Sequence, residues 1–333
     1  MNRLKIHSPD KWSFLSLFIA LALFYTGISV PSLAQNFPNK PLTLIVSSAP
    51  AGPLDAAGRM LSDYLSRNLG KPVVIENRPG ASGAVAAGLL AKASPDGYTL
   101  MITTRAITIN PSLHQKLPFD TSKAFTPIAM VMEQANLLVV GKDFPARTVP
   151  QLIKVLKENP EKYSFGSPGN GGIPHLAGEM FKSFTGTSIL HIPYKGAAPL
   201  MTDLLGSRVD MTFSSPGTAL AQISEGKVFP IAIASEKRSP LLPQIPTFAE
   251  FGIKGFHIDS WYGVFAPTGT PPEIVKLLNQ EINNFLRTED GKKRIGNLGA
   301  TPTPQSAEDF KVLFDEDLLR FGKLVRQLAI GVD

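Results

Sequence analysis

LTLIVSSAPAGPLDAAGR, residues 42–59, sets an apolar strand, a loop of small residues and a helix start in immediate succession. Strand 42–48 runs into APAGP (49–53), and the helix from Leu54 points its N-terminus back over that loop. Pro53 suits a first helical position and Asp55 the electropositive first turn. Residues 163–175 repeat the device: strand YSFG (163–166), loop SPGNGGIP (167–174), helix from His175. Glycine lets the backbone approach a bound group, and the first N–H donors of a helix have no partner within it. Orphan donors and helix dipole together favour negative charge. Two such loops, far apart in the chain, imply a small anion held from both sides.

The surrounding chain alternates strand and helix. Ala57, Met60, Leu61, Tyr64 and Leu65 form one apolar stripe, Gly70 stops that helix, and VVIE (73–76) follows. Gly80 to Gly83 leads into a small-residue helix, SPDG (94–97) is a turn, and YTLMIT (98–103) is a third strand. This βαβαβ run implies a parallel sheet with right-handed crossovers. A similar rhythm occupies 148–234, and WYGVFAP (261–267) then returns to a strand, followed by amphipathic helices near 272–289 and 306–328. Two α/β units with a C-terminal segment rejoining the first leave a cleft between them. Ligands of open α/β sheets sit beyond the carboxyl ends of the strands, where both glycine-rich loops lie.

The N-terminus reads as a secretory leader. Arg3, Lys5 and Lys11 precede an apolar run from Trp12 to Val30, and PSLAQ places small residues before a cleavage point between Ala34 and Gln35. The expected location is the periplasm. There is no cysteine, so an exported chain depends on its core and not on disulfides. The formal charge of +6 falls to +4 once Arg3, Lys5, Lys11 and Asp10 are removed, and the remaining basic residues are scattered, unlike a nucleic-acid-binding arm.

Catalytic motifs fail on inspection. Gly166 and Gly171 have the spacing of a phosphate loop, but Gly172 and Ile173 stand where Lys and a hydroxyl residue belong. Gly80-Ala81-Ser82-Gly83 is one residue short of a nucleophile elbow. None of His114, His175, His191 and His257 has a second His or a Cys at helical spacing, as a metal or catalytic constellation would need. The expectation is therefore no enzyme, no cofactor and no metal.

APAGPLDAAGR (49–59), NRPGASG (77–83), PDGYTL (95–100), INPSLHQKLPFD (109–120), SPGNGGIPHLAGEMF (167–181), HIPYKGAAP (191–199), DLLGSRVDMTF (203–213) and DSWYGVFAPTGTP (259–271) occur in that order. The ordered set resembles the Bug family, periplasmic solute receptors of tripartite tricarboxylate transporters. The resemblance implies a two-lobed, type II-like binding-protein fold, each lobe a sheet flanked by helices, that closes on a small carboxylate. It implies membrane transporter subunits as partners, a monomer, and no catalysis. A receptor that signals to a sensor kinase shares the same cleft, and an exported hydrolase is the remaining alternative. The expected boundaries are 1–34 for the leader, 35–136 plus 259–333 for one lobe and 137–258 for the other. Hinge strands are placed by the resemblance near 134–141 and 256–263.

The candidate ligand residues follow from the loops and strand ends. They are Ser48, Ala49, Ala51, Gly52, Pro53 and Asp55 in the first loop, and Ser167, Gly169, Asn170, Gly171, Gly172 and His175 in the second. Thr104, Arg105, Tyr194, Ser214 and Ser215 lie at other strand ends. Asp55 is either a cap or a partner for a ligand amine, and His175 either fixes its loop or hydrogen-bonds the ligand. Arg105 either pairs with a ligand carboxylate or sits in water. Two positions depart from the family pattern. Ala51 replaces the first of paired glycines, and Ser214-Ser215 replace an Asp or Asn after VDMTF, which favours a ligand without an ammonium group.

Overall fold

The sheets of this chain interlock by exchanging one strand each, as seen in a computed structural model that describes residues 37–113, 116–239 and 242–328. The expected leader, its cleavage site and His114 lie outside the described residues. The main compact unit is Pro38–Asp333, and the statements below concern that unit alone.

The first sheet contains β1 (Leu42–Val46), β2 (Val73–Asn77), β3 (Thr99–Thr104), β4 (Phe125–Gln134), β10 (Ser260–Pro267) and β11 (Thr301–Pro302), ordered β11-β4-β10-β3-β1-β2. The second contains β5 (Leu137–Gly141), β6 (Ser164–Ser167), β7 (Leu190–Pro193), β8 (Met211–Ser214) and β9 (Val228–Ile233), ordered β7-β6-β8-β5-β9. β1 is parallel to β2 and β3, as β6 is to β7 and β8. In each sheet the antiparallel strand beside that trio arrives from the other sheet: β10 in the first, β5 in the second. Apart from the short β11, the two sheets therefore have the same order, built around one incoming strand.

The helices are α1 (Pro53–Leu69), α2 (Ala84–Leu90), α3 (Ala106–Leu113), α4 (Thr121–Ala124), α5 (Val149–Glu158), α6 (Ile173–Thr185), α7 (Ala197–Leu205), α8 (Pro216–Ser224), α9 (Pro272–Arg287), α10 (Glu289–Asn297) and α11 (Ala307–Gln327). Glycines let two of them lie close on their strands. A Cβ at Gly58 of α1 would sit 2.9 Å from Val46, and one at Gly178 of α6 would sit 2.1 Å from the Phe165 ring. Both glycines bring a helix N-terminus to the end of the strand beneath it. Full burial of a side chain such as Phe165 contributes about 1.5–3 kcal/mol.

Three details differ from the sequence reading. The crossing expected as one strand over 134–141 is two strands in different sheets, separated by Ala135 and Asn136. Asn136 donates from Nδ2 to Ile258 O at 3.0 Å, so the outgoing crossing is tied to the returning one. β4, with Pro127 inside it, and α3, with Pro111 inside it, carry no clear period and were not expected as elements. Last, α11 is not confined to the first sheet. Its Phe310 and Phe314 pack with Met101, Trp261 and Phe265, whereas its Phe321 and Val325 share a core with Leu138, Phe165 and Phe213 of the second sheet. Ile109 and Leu113 of α3 join that second core too.

Candidate functional site

β1, β3, β6 and β8 all end at the loops from which α1, α3, α6 and α8 begin. The starts of α1, α6 and α8, at Gly52, Gly172 and Ser215, have a proline in the first turn and no side-chain cap. By contrast α5, α10 and α11 are capped by the side chains of Thr148, Thr288 and Ser306. An uncapped start leaves main-chain donors for an anion.

In the first loop, Ser47 Oγ donates to Thr103 Oγ1 at 2.8 Å and fixes the strand end. Ser48, Ala49, Ala51 and Gly52 then form the turn, with Ala51 at φ +67°. The Ala51 N–H donates to Asp55 Oδ2 at 3.0 Å. Arg59 Nε donates to the same oxygen at 2.9 Å, and Asn77 Nδ2 donates to Oδ1 at 2.9 Å and to Ser48 O at 3.1 Å. Asp55 is only 3% exposed. Burial raises its carboxyl, but the bonds from Arg59, Asn77 and Ala51 outweigh that and hold it below the ordinary carboxylate value. Both oxygens are thus engaged in shaping the loop.

The second loop has the same geometry with a different acceptor. Gly171, at φ +76°, donates its N–H to His175 Nδ1 at 3.0 Å, which puts the imidazole proton on Nε2. Ser167 Oγ donates to Gly169 O at 2.8 Å, so His191 Nε2, 2.7 Å away, must donate to that hydroxyl. The rings of His175 and His191 stack 4.0 Å apart at 11°, and His191 stacks on Phe165 at 4.7 Å. Burial lowers His175, and burial with the neighbouring His175 pushes His191 down to about 3. Both imidazoles are therefore neutral scaffolding under the loop.

Arg105 is not at the cleft edge. Its side chain is 4% exposed, pairs with Asp259, and lies 3.0 Å from Asp317 Oδ2, which also accepts from Trp261 Nε1 at 2.7 Å. A guanidinium this buried needs its counter-charges, which Asp259 and Asp317 supply. Beside this group, a hydrogen bond to Asp259 together with burial pushes Glu133 up to about 8. The Tyr194 hydroxyl donates to Asp203 at 2.9 Å, which fixes the ring at the end of β7. Thr104 accepts from Ala106 N–H at 3.4 Å, Ser214 Oγ donates to Ser215 O at 3.3 Å, and Ser215 bonds Thr218 at 2.9 Å, all at strand ends near helix starts.

The two sheets touch where the 80–83 turn beside the first sheet meets the 167–172 loop of the second. Ser82 Oγ donates to Asn170 O at 2.8 Å. At a second point, a Cβ on Gly217 of α8 would lie 2.5 Å from Leu298 O, beside the crossing where Gln134 Nε2 donates to that same oxygen at 2.7 Å. Sequence reasoning assigned no role to Ser82, Asn77 or His191. The glycines flanking Ser82 were the available signal.

Among the described residues no helix is long and apolar enough to cross a membrane, and no group of three or more His, Asp or Glu could hold a metal ion. Residues 57–330 match the family described as tripartite tricarboxylate transporter family receptor. The chain is 33% identical over 315 residues to protein BugT of Bordetella pertussis, covering 94% of this chain and 95% of that one. It superposes on the Rhodopseudomonas palustris protein Rpa4515 with adipate at a TM-score of 0.84 and 34% identity, covering 89% and 100% of the two chains. For MatC (Rpa3494) of the same organism with bound malate the TM-score is 0.78 and the identity 30%, covering 87% and 100%.

Proposed function

The chain belongs to the tripartite tricarboxylate transporter receptor family, and from that premise we propose that it is a periplasmic receptor gripping a small dicarboxylate between two lobes. The supporting observation is that both sheets carry uncapped helix starts at strand ends, α1 on the first and α6 and α8 on the second, and that Ser82 joins the first sheet's 80–83 turn to Asn170 of the α6 loop. The donors to the ligand are main-chain N–H groups and hydroxyls of Ser48, Ala49, Gly52 and Leu54 on one side, where Ala51 and Pro53 shape the turn. Ser167, Gly169, Asn170 and Gly172 serve on the other, where Gly171 shapes the turn, with Thr104, Ser214 and Ser215 completing the walls. Pro53 contributes shape only, having no N–H. Asp55 and His175 hold the loops, and Arg105 holds the hinge.

The lobes are the two sheets with their helices, and the hinge lies at 134–137 and 258–260. Export through the leader and delivery to membrane subunits by a monomer complete the reading. No catalytic step is assigned, because in the Ser167–His191 pair of the second loop the hydroxyl already donates to Gly169 O and the imidazole is the donor, which leaves no base facing a nucleophile. Each charge-assisted bond contributes about 1.5–3 kcal/mol net, so a few of them, less the cost of closure, reach about −8 kcal/mol, which is micromolar. With both Asp55 oxygens committed to its loop, the described residues of the two loops, 48–55 and 167–175, offer no free carboxylate to an ammonium group.

A thermal-shift screen checks this, confirmed by calorimetry. Succinate, malate, glutarate and adipate are expected to stabilise the protein, by about 2.7 kcal/mol at 100 times Kd. Aspartate and glutamate are expected to bind at least tenfold more weakly. Stabilisation by amino acids but not by dicarboxylates overturns the ligand class, and stabilisation by neither overturns the receptor reading.

A further inference from the structure

Gly80, Ala81, Ser82 and Gly83 have φ of +129°, +44°, +49° and +96°, four successive residues on the side of the backbone map that L-residues avoid. Strain of this kind persists only where surrounding contacts over-determine it. The turn is closed by Gly83 N–H donating to Gly80 O at 2.9 Å. From beneath, Asn110 Nδ2 donates to Ser82 O at 3.2 Å. Asn110 is 2% exposed, and it stands on α3, the helix that shares the core of the second sheet through Ile109 and Leu113. This bracing aims the Ser82 hydroxyl across the cleft at Asn170 O.

That carbonyl belongs to the same peptide unit as the Gly171 N–H. One end of the plane is held by His175 of its own lobe, and the other end by Ser82 of the opposite lobe. With the lobes apart, only the His175 end is fixed, and Asn170 O turns to water. With the lobes together, both ends are fixed, and the donors around the plane are set in register for an anion.

We propose that Ser82 is the latch of the closed cleft, a positioning residue that ties the lobes at loop 167–172 and sets the lifetime of the loaded form. This rests on the reading that the lobes close on a carboxylate. A bond that exists only in the closed form slows opening and leaves encounter alone, so its loss appears in the release rate.

Single-molecule energy transfer and stopped-flow release test the latch. The natural chain has no cysteine, so Lys92→Cys and Lys157→Cys take dyes on exposed positions beside the first and second sheets without background. Adipate is the probe. In Ser82→Ala, adipate release is expected to quicken roughly tenfold, as befits one net hydrogen bond, with association within about twofold of the parent. The short-distance population is expected to thin by the same factor. Ser82→Gly removes the hydroxyl but suits φ +49°, so it is expected to lose the latch while keeping or raising the melting temperature of the unliganded protein. Unchanged release and distances in both variants overturn the latch, as does a parent that never shows a short-distance population. Faster release matched by an equal loss of unliganded stability in both variants reduces Ser82 to a structural role. If adipate fails to bind the parent, the ligand reading falls, and the distance distributions without ligand still decide the latch.

Discussion

At the end of β1 the N–H of Ala51 is held by the Asp55 carboxylate, and at the end of β6 the N–H of Gly171 is held by the His175 imidazole. The acceptor stands four residues after the donor in both loops, and both donors have positive φ. What differs is charge. Asp55 sets a fixed negative charge at a helix start, screened by Arg59, whereas the neutral His175 adds none. An arriving carboxylate therefore meets an attenuated field at the first loop and the full helix terminus at the second. The first loop gains rigidity from its ion pair, and the second keeps more of its attraction for an anion.

The widest separation between the loops should come from obstructing the backbone. Gly171→Val puts a branched side chain at φ +76°, where β-branched residues are outliers, inside a buried turn. Calorimetry with adipate is expected to show affinity reduced about a hundredfold, because the branched side chain displaces the turn and with it the neighbouring N–H donors, at about the worth of one strong charge-assisted bond. The unliganded protein should lose only about 1–3 kcal/mol, the cost of one strained residue. Ala51→Ser is the matched control, since a Cβ is already accommodated there and exposed; its affinity should stay within about threefold. Equal losses at both sites break the comparison.

Acid should separate the loops next. His175 and His191 have lowered values, so their neutral forms stabilise the fold above about 6.5, the unfolded value. That contribution drains away as pH falls, and His191 resists protonation in the folded protein until about 3. Asp55 is also lowered, but its contribution is present above its unfolded value near 3.8 and is lost only below it. Between pH 6.5 and 5 the second loop thus lowers the urea midpoint, while the raised Glu133 acts in the opposite direction as it protonates, so the loop is read from the difference between parent and variant. His191→Gln keeps an N–H donor for Ser167 without a titrating ring and should remove that lowering. Asp55→Asn should leave it intact. A slope that His191→Gln leaves unchanged places the acid sensitivity elsewhere.

Both loops were legible in the sequence because glycine, proline and a strand-to-helix change lie within a few residues of one another. The α/β class was legible for the same local reason, the two-lobed fold was implied by the resemblance of the ordered motifs to the Bug family, and the family match and the superpositions bear both out. What failed to show was anything decided across the chain. Arg105 looked like a free cation because its partners, Asp259 and Asp317, come from segments that only the fold brings beside it. α11 looked like one lobe's helix because an apolar stripe does not say how many cores it touches. The His175–His191 stack joins a helix to a neighbouring strand, and no spacing rule announces it. Asp55 could be read as a capping group, but its tie to Asn77 depends on β1 pairing with β2.

The smallest effect concerns the one place where the first loop departs from glycine. Ala51 occupies φ +67°, a conformation that costs an L-residue about 1–2 kcal/mol. Glycine removes that cost but returns about 0.5–1 kcal/mol to the unfolded chain through its greater freedom. Ala51→Gly should therefore stabilise the protein by about 0.5 kcal/mol, raising the melting temperature by roughly 1–2 °C at this chain size. Affinity for adipate should stay within about twofold, since Asp55 and not the methyl group orients the Ala51 N–H. Gly171→Ala is the mirror experiment and should move the melting temperature the other way, because it introduces the strain that Ala51→Gly relieves. If both variants lower it, the Ala51 methyl makes a favourable contact that outweighs its strain, and the two loops are less alike than their backbones suggest.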